Sequence, residues 1–272
     1  MSTAIVSFCL STASFASDFS YNIKHFNYEE FEDNNLFLDE SHRQLPGVKL
    51  GMEWQWPAWY LSVDSSMSSG IEGYSRFSPS SKPAFDGVPI DSNASDTFII
   101  DSLLTSGYRF GTNKHNYSSL YAGLGYQFLY RGHRDGQETL GSSAAGLNQY
   151  HTSVYAALGG KWAMFNGQNL GGALDIQARH TLAGKSNRTV PGQEQADFTL
   201  GNDWSVRLSL PFQYVISKGS SLTLQPYVET WDLGENDSAK RSLYNRSTGN
   251  SNLESNSETR NIGVWFTYDK QY

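Results

Sequence analysis

The sequence predicts an all-β protein, a closed antiparallel up-and-down barrel of about ten strands, with eight to twelve compatible with the pattern. Three observations predict it. Apolar side chains recur at every second residue over long stretches, the period of a strand with one apolar face. The connections between these stretches alternate short and long, as they do when each strand pairs with its neighbours in the chain. Aromatic residues gather beside the short connections, at what would be one end of the barrel.

Ten segments carry the alternation, at about 18–28, 44–56, 58–74, 97–110, 117–131, 149–164, 169–182, 197–216, 221–233 and 258–268. In the first, Phe19, Tyr21 and Ile23 share a face; in the second, Val48, Leu50, Met52, Trp54 and Trp56 do. The third carries Tyr60 and Asp64 on its polar face, and the fourth carries Asp101 and Arg109. The fifth aligns Leu120, Ala122, Leu124, Tyr126, Phe128 and Tyr130. The sixth and seventh present His151, Tyr155 and Lys161, then Asp175, Gln177 and Arg179, on their polar sides. The eighth is the longest run, from Trp204 through Val206, Leu208, Leu210, Phe212 and Tyr214 to Ile216. The ninth sets Gln225, Tyr227 and Glu229 on one side, and the tenth aligns Ile262, Val264, Phe266 and Tyr268. Gly123, Gly125, Gly159 and Gly160 fall inside strands, where glycine allows close packing and curvature.

Short connections are expected at Pro57-Ala58, Gly111–Asn116, Asn166–Gln168 and Ser217–Ser220. Long ones are expected at about 29–43, 75–96, 132–148, 183–196 and 234–257, polar and punctuated by turn formers such as Pro79, Pro83 and Pro89. Trp54, Trp56 and Trp59, Tyr108 and Phe110, Trp162 and Phe165, and Phe212 and Tyr214 flank the four short turns.

Composition agrees with a single β domain. The chain has 272 residues, 14% of them aromatic, and 25 glycines, which favours strands over helix. A formal net charge of −7, scattered along the chain, argues against the basic face that a nucleic-acid partner needs. Mean hydropathy is −0.49, and no apolar run approaches the ~20 residues of a membrane helix. A membrane barrel passes that test unseen, because its lipid-facing residues are diluted one in two.

Residues 1–16 read as an export signal. Ala4 to Leu10 form an apolar stretch, and Ala13-Ser14-Phe15-Ala16-Ser17 offers small residues for cleavage after Ala16. Residues 17–272 then form one barrel domain. Cys9 is the only cysteine, so a chain cut there has neither a disulfide framework nor a thiolate metal site.

The last strand, Asn261-Ile262-Gly263-Val264-Trp265-Phe266-Thr267-Tyr268, has a polar residue, a glycine two on, then aromatics at a spacing of two. That order resembles the C-terminal strand by which bacterial outer-membrane β-barrels are recognised for insertion, with Asn261, Gly263, Phe266 and Tyr268 as the signal residues. The resemblance covers essentially the whole mature chain at the level of architecture. It implies a transmembrane barrel in the bacterial outer membrane, assembled by the barrel-assembly machinery and surrounded by outer-membrane lipid and lipopolysaccharide. Short turns and both termini are then periplasmic, and the long loops extracellular.

Alternation alone allows the apolar face to point inward or outward; the export and insertion features favour outward. The opposite face then lines the lumen. Its charges are Lys49, Glu53, Asp64, Asp101, Arg109, Arg131, Lys161, Asp175, Arg179, Arg207 and Glu229, with Lys24 nearby. Acids and bases of such a lining can pair, since an unpaired charge out of water is costly. Around eight strands leave an interior that side chains fill. Ten add little room, and Tyr60, Tyr121, Tyr155, Tyr227 and Trp265 occupy much of it. The expected lumen is plugged or very narrow.

Some small outer-membrane barrels are enzymes. The omptin-like proteases have ten strands and use paired Asp with an Asp–His couple at the outer rim. Here His151 and His180 fall near outer strand ends, with Asp197 and Asp203 across from His180, but no short motif joins them. Outer-membrane phospholipases and lipid A deacylases carry a His-x-Ser-Asn signature. His151-Thr152-Ser153 matches its first part, with Val154 in place of Asn. His151 and Ser153 share the inward face, as a base and nucleophile would. No catalytic residue is assigned on this basis. No metal site is expected, since His42, His115 and His133 fall in loops and no pair has ligand spacing, and no cofactor is implied. The reading is a structural or interaction scaffold whose long external loops bind a partner, surface polymer or host molecule, with a narrow channel and a rim-sited hydrolase as alternatives; a surface or periplasmic protein is the partner expected.

Overall fold

Long period-two runs offer no helical stripe to bury, so the backbone satisfies its N–H and C=O groups strand to strand. The computed structural model describes residues 14–32, 37–77, 89–110, 117–133, 136–137, 143–144, 148–189, 196–200, 203–233 and 255–271. Ten strands form one antiparallel wall: β1 (Ser14–Glu32), β2 (Phe37–Gln55), β3 (Trp59–Phe77), β4 (Pro89–Phe110), β5 (Ser118–His133), β6 (Asn148–Asn166), β7 (Leu170–Thr189), β8, β9 (Ser220–Leu233) and β10 (Ser255–Gln271). The β8 strand is in three pieces, Ala196–Leu200, Trp204–Ser209 and Phe212–Ser217. Pro211 has no N–H to give the ladder, which lapses there. The Leu210 N–H still reaches the Pro226 carbonyl at 3.0 Å, so the wall stays closed across the gap. The turn between β8 and β9 takes Gly219 at φ 84°, a conformation costly for any residue with a Cβ.

The barrel is closed because β1 pairs with both β2 and β10. Its stagger can be read from the register. Starting at Ser14 and stepping through Gln55, Tyr60, Gly107, Tyr121, Gly159, Gln177, Arg207, Glu229 and Asn261, the path returns to β1 at Phe26. The return point lies twelve residues up the strand, so the strands tilt steeply about the axis.

The expected strands are present but longer than read. The long connections expected at 29–43, 75–96, 132–148, 183–196 and 234–257 are partly absorbed into the wall. For example, β1 runs to Glu32 and β2 begins at Phe37. Polar strand ends lose the apolar alternation that marks a strand, and pairing with a neighbour extends them regardless. His42 and His133 therefore belong to β2 and β5, while His115 lies outside the described residues. At the other end β1 begins at Ser14, with Ser14 opposite Gln55 and Ala16 opposite Gln271. Residues 1–13 lie outside the described residues.

Burial is inverted relative to a water-soluble protein. Leu158 is 67% exposed and Ile262 61%, whereas Arg131 is 0% exposed and Asn261 1%. A continuous apolar exterior of this extent calls for lipid rather than water. Aromatic residues bound it at both ends. The turn-end girdle contains Phe15 against Trp54, Trp59 against Tyr108 and Phe165 against Phe212. A second girdle, towards the loops, contains Phe98, Phe128, Tyr130 and Tyr150. On β4, Tyr108 and Phe98 mark the two girdles ten residues apart. At about 3.3 Å per residue and a tilt of roughly 40°, that is about 25 Å along the axis, the height of a membrane barrel's apolar band. The strand continues from Phe98 to Pro89, so the wall projects past the band on the loop side.

Candidate functional site

The lumen is built from inward positions of all ten strands, and tyrosine and glycine shape it. Tyr60 sits directly opposite Gly107, Tyr121 opposite Gly159, Tyr155 opposite Gly125 and Tyr227 opposite Gly263. In each pair the ring lies over the glycine, where any Cβ would collide with it. The rings are thereby laid across the wall instead of standing into the lumen, and the hydroxyls of Tyr121 and Tyr155 reach carboxylates two strands away.

Four charged residues meet midway up the lumen. Arg179 Nη1 lies 3.0 Å from Asp101 Oδ2 and 3.2 Å from Glu229 Oε1. Arg207 Nη2 reaches the same two acids at 3.6 and 2.8 Å. Tyr155 Oη donates to Asp101, and the Tyr155 ring faces the Arg179 guanidinium at 4.8 Å. Two cations on two anions leave the cluster neutral. Loss of Arg179 alone would leave buried carboxylates short of a partner, a change that typically costs about 3–5 kcal/mol.

An apolar layer caps this cluster on the loop side. Leu45, Ile99, Leu129 and Trp231 are buried against one another inside the barrel. Ile99 is two residues loopward of Asp101 and Trp231 two loopward of Glu229, so the layer rests on the ion pairs. Still further loopward, Arg131 and Gln149 are buried and linked at 3.3 Å. We call the ion cluster and the apolar layer stacked on its loop side the septum. The sequence reading missed the apolar half of it, because apolar residues were assigned to the lipid face. The adjacent pair Ile99-Ile100 was the available signal, since one of two neighbours in a strand must point inward.

On the turn side of the septum lies a chamber of about 220 Å³, lined by Lys49, Glu53, Asp64, Lys161 and Asp175 among others. Lys49 Nζ pairs with Asp64 at 3.3 Å and Asp18 at 4.0 Å. Arg109 pairs with Glu53 and lies between the Tyr60 and Tyr117 rings, 5.0 and 4.1 Å from their centres. Asp269 accepts from Ser221 at 3.1 Å and Thr223 at 3.2 Å. Asp18, Tyr117 and Asp269 were not among the expected site residues. Asp269 shares the inward parity of Asn261 and Trp265, which would have placed it. Of the expected charges, the structure brings Asp101, Arg179, Arg207 and Glu229 together, pairs Lys49 with Asp64 and Glu53 with Arg109, and sets Arg131 apart.

The four residues of the last-strand pattern divide between the faces. Asn261 is buried in the lumen and Gly263 lies under the Tyr227 ring, whereas Phe266 and Tyr268 point outward.

The hydrolytic candidates are rearranged. His180 points away from the lumen and stacks on Trp204 on the outer surface, ring centres 4.6 Å apart, because its neighbours Arg179 and Gln177 take the inward parity. It cannot couple to an acid inside the rim. His151 and Ser153 face inward and are buried. Asp203 and Ser153 border a cavity of about 20 Å³, room for roughly one water. The Asp197 side chain lies outside the described residues. No group of metal-binding side chains occurs among the described residues.

No protein-family model matches the chain, and no curated protein sequence matches it. Solved structures do. The outer-membrane protease OmpT of Escherichia coli is similar at a TM-score of 0.65 and 11% identity, over 100% of both chains. The translocator domain of the autotransporter NalP from Neisseria meningitidis gives 0.45 and 10%, over 93% of this chain and 88% of that one. The toluene transporter TodX of Pseudomonas putida gives 0.37 and 9%, over 95% and 90%. The chain has the fold of the bacterial outer-membrane β-barrels.

Proposed function

We propose that this protein is an outer-membrane barrel with a plugged lumen that acts as a structural and interaction scaffold. Its loops and projecting strand ends are extracellular, and its turns and termini periplasmic. The septum carries the reading: paired charges under a buried apolar layer close the cross-section with the wall's own side chains. A conducting pore needs a continuous wet path, and the aliphatic side chains of Leu45, Ile99 and Leu129, packed against Trp231, present apolar surface across it. Burial of His151 and Ser153, and the outward turn of His180, support a non-catalytic role. In this proposal Asn261, Gly263, Phe266 and Tyr268 serve as the insertion signal, the barrel-assembly machinery inserts the chain, and outer-membrane lipid and lipopolysaccharide cover its apolar band. A surface or periplasmic protein partner would dock on the projecting rim or the turns.

Purified, refolded protein in planar bilayers tests this. The expected result is a barrel that inserts without stepwise conductance. Regular single-channel steps, altered by Asp101→Asn or Arg109→Gln, would establish the second reading instead, a narrow channel for ions or small solutes.

A further inference from the structure

Lys161 and Asp175 stand directly opposite each other on β6 and β7, where opposite charges usually gain by pairing. They do not close on one another. The Lys161 ammonium lies 4.9 Å from the centre of the Tyr117 ring, and neither residue enters an ion pair among the described residues. Asp175 accepts a hydrogen bond from Tyr121 Oη at 2.8 Å, and that oxygen accepts one from Gln177 Nε2 at 3.4 Å. The Tyr121 ring is set in this pose by Gly159 beneath it. Lys49, Arg109, Arg179 and Arg207 are each matched to a carboxylate. The wall therefore presents one ammonium and one carboxylate side by side, both facing the chamber.

We propose that the turn-end chamber binds a small zwitterion of amino-acid type, its carboxylate on Lys161 and its ammonium on Asp175. Such a ligand carries its two charges a few atoms apart, the separation that a directly opposed strand pair offers. It is neutral overall, so it completes both wall charges without unbalancing a lumen in which stray charge is costly. The chamber's volume, about 220 Å³, equals that of roughly seven waters and falls below the usual range for drug-sized ligands. Tyr60, Tyr121 and Trp265 supply flat apolar surface for the rest of the molecule. The septum ends the chamber on the loop side, which makes it a binding site entered from the turns and not a passage.

The test is saturation-transfer NMR on the full-length barrel refolded in detergent, with folding checked in each sample by its unboiled gel migration. Glycine is the probe; acetate and methylamine are its half-molecules, and glycerol is a neutral polyol of similar bulk. Saturable glycine binding is expected, at least tenfold tighter than acetate or methylamine. Lys161→Met and Asp175→Asn should each weaken it at least tenfold, while Lys185→Met, at an exposed position on β7, should leave it unchanged. Absence of saturable glycine binding to the folded barrel would overturn the proposal. So would glycine binding retained by either chamber variant, or glycerol bound in preference to glycine. None of these outcomes depends on whether the barrel conducts.

Discussion

Each of the lumen tyrosines, Tyr60, Tyr121, Tyr155 and Tyr227, depends on a glycine whose own role is to be empty. This coupling makes a sharp prediction at the residue scale. Gly125→Val would drive a side chain into the Tyr155 ring, whose hydroxyl donates to Asp101. Overpacking of this kind costs about 1–3 kcal/mol, and urea unfolding in detergent should show it. Adding Tyr155→Ala should recover part of that loss, because the second change removes the atoms that the first collides with. Residues in contact are expected to be non-additive in this way; strict additivity would mean that the ring does not rest on Gly125. Gly125 and Gly159 were legible in the sequence as sites of close packing, whereas Gly107 and Gly263 were not. Which tyrosine each one serves was not, since that is fixed by pairing across strands 30 to 50 positions apart in the chain.

At the scale of the element, one strand has to satisfy two solvents. On β5, Leu120, Leu124 and Tyr126 are exposed on the outer wall, and Tyr121 and Gln127 are buried inside. A charge placed on either side should therefore have opposite consequences. Leu124 lies between the two girdles, so Leu124→Arg should destabilise the inserted barrel by about 2–4 kcal/mol, measured by equilibrium unfolding from lipid vesicles. Leu120→Arg, nearer the turn-end girdle, should cost less, because the penalty falls towards the membrane surface. Equal penalties at the two positions would displace the band from the place given it by the girdles. The turn-end girdle could be read from the chain because its aromatics cluster at short turns. The loop-side girdle could not, because Phe98, Phe128, Tyr130 and Tyr150 sit inside continuous strands and come together only by register.

For the whole molecule, closure is the decisive property. With β1 bonded to both β2 and β10, no edge strand is left to fray, and every wall strand has two neighbours. A closed barrel of this kind should resist SDS at room temperature. The unboiled protein is expected to migrate differently from the boiled one on a gel, and a single position in both lanes, with solubility in plain buffer, would sink the membrane reading. Removal of β10 should abolish the shift, since closure would be lost along with the strand that joins β1 to β9.

The chain by itself determined the class of fold, a count of about ten strands and, along each strand, which residues share a face. These follow from the pleat, a local geometry in which alternate side chains point to opposite faces wherever the strand ends up. The loop lengths were read less well, because polar strand ends carry no alternation. Tertiary structure alone decided which inward residues meet. Asp101 and Arg179 are 78 positions apart and lie on β4 and β7, three strands apart around the wall, yet they touch. They do so because a stagger of twelve residues around ten strands tilts the wall and brings distant registers to one height across the lumen. The same stagger set Leu45, Ile99, Leu129 and Trp231 over the ion pairs and left Lys161 facing the chamber beside Asp175. Facing is a property of one strand and can be read from it; partnership is a property of the closed barrel, and no single strand contains it.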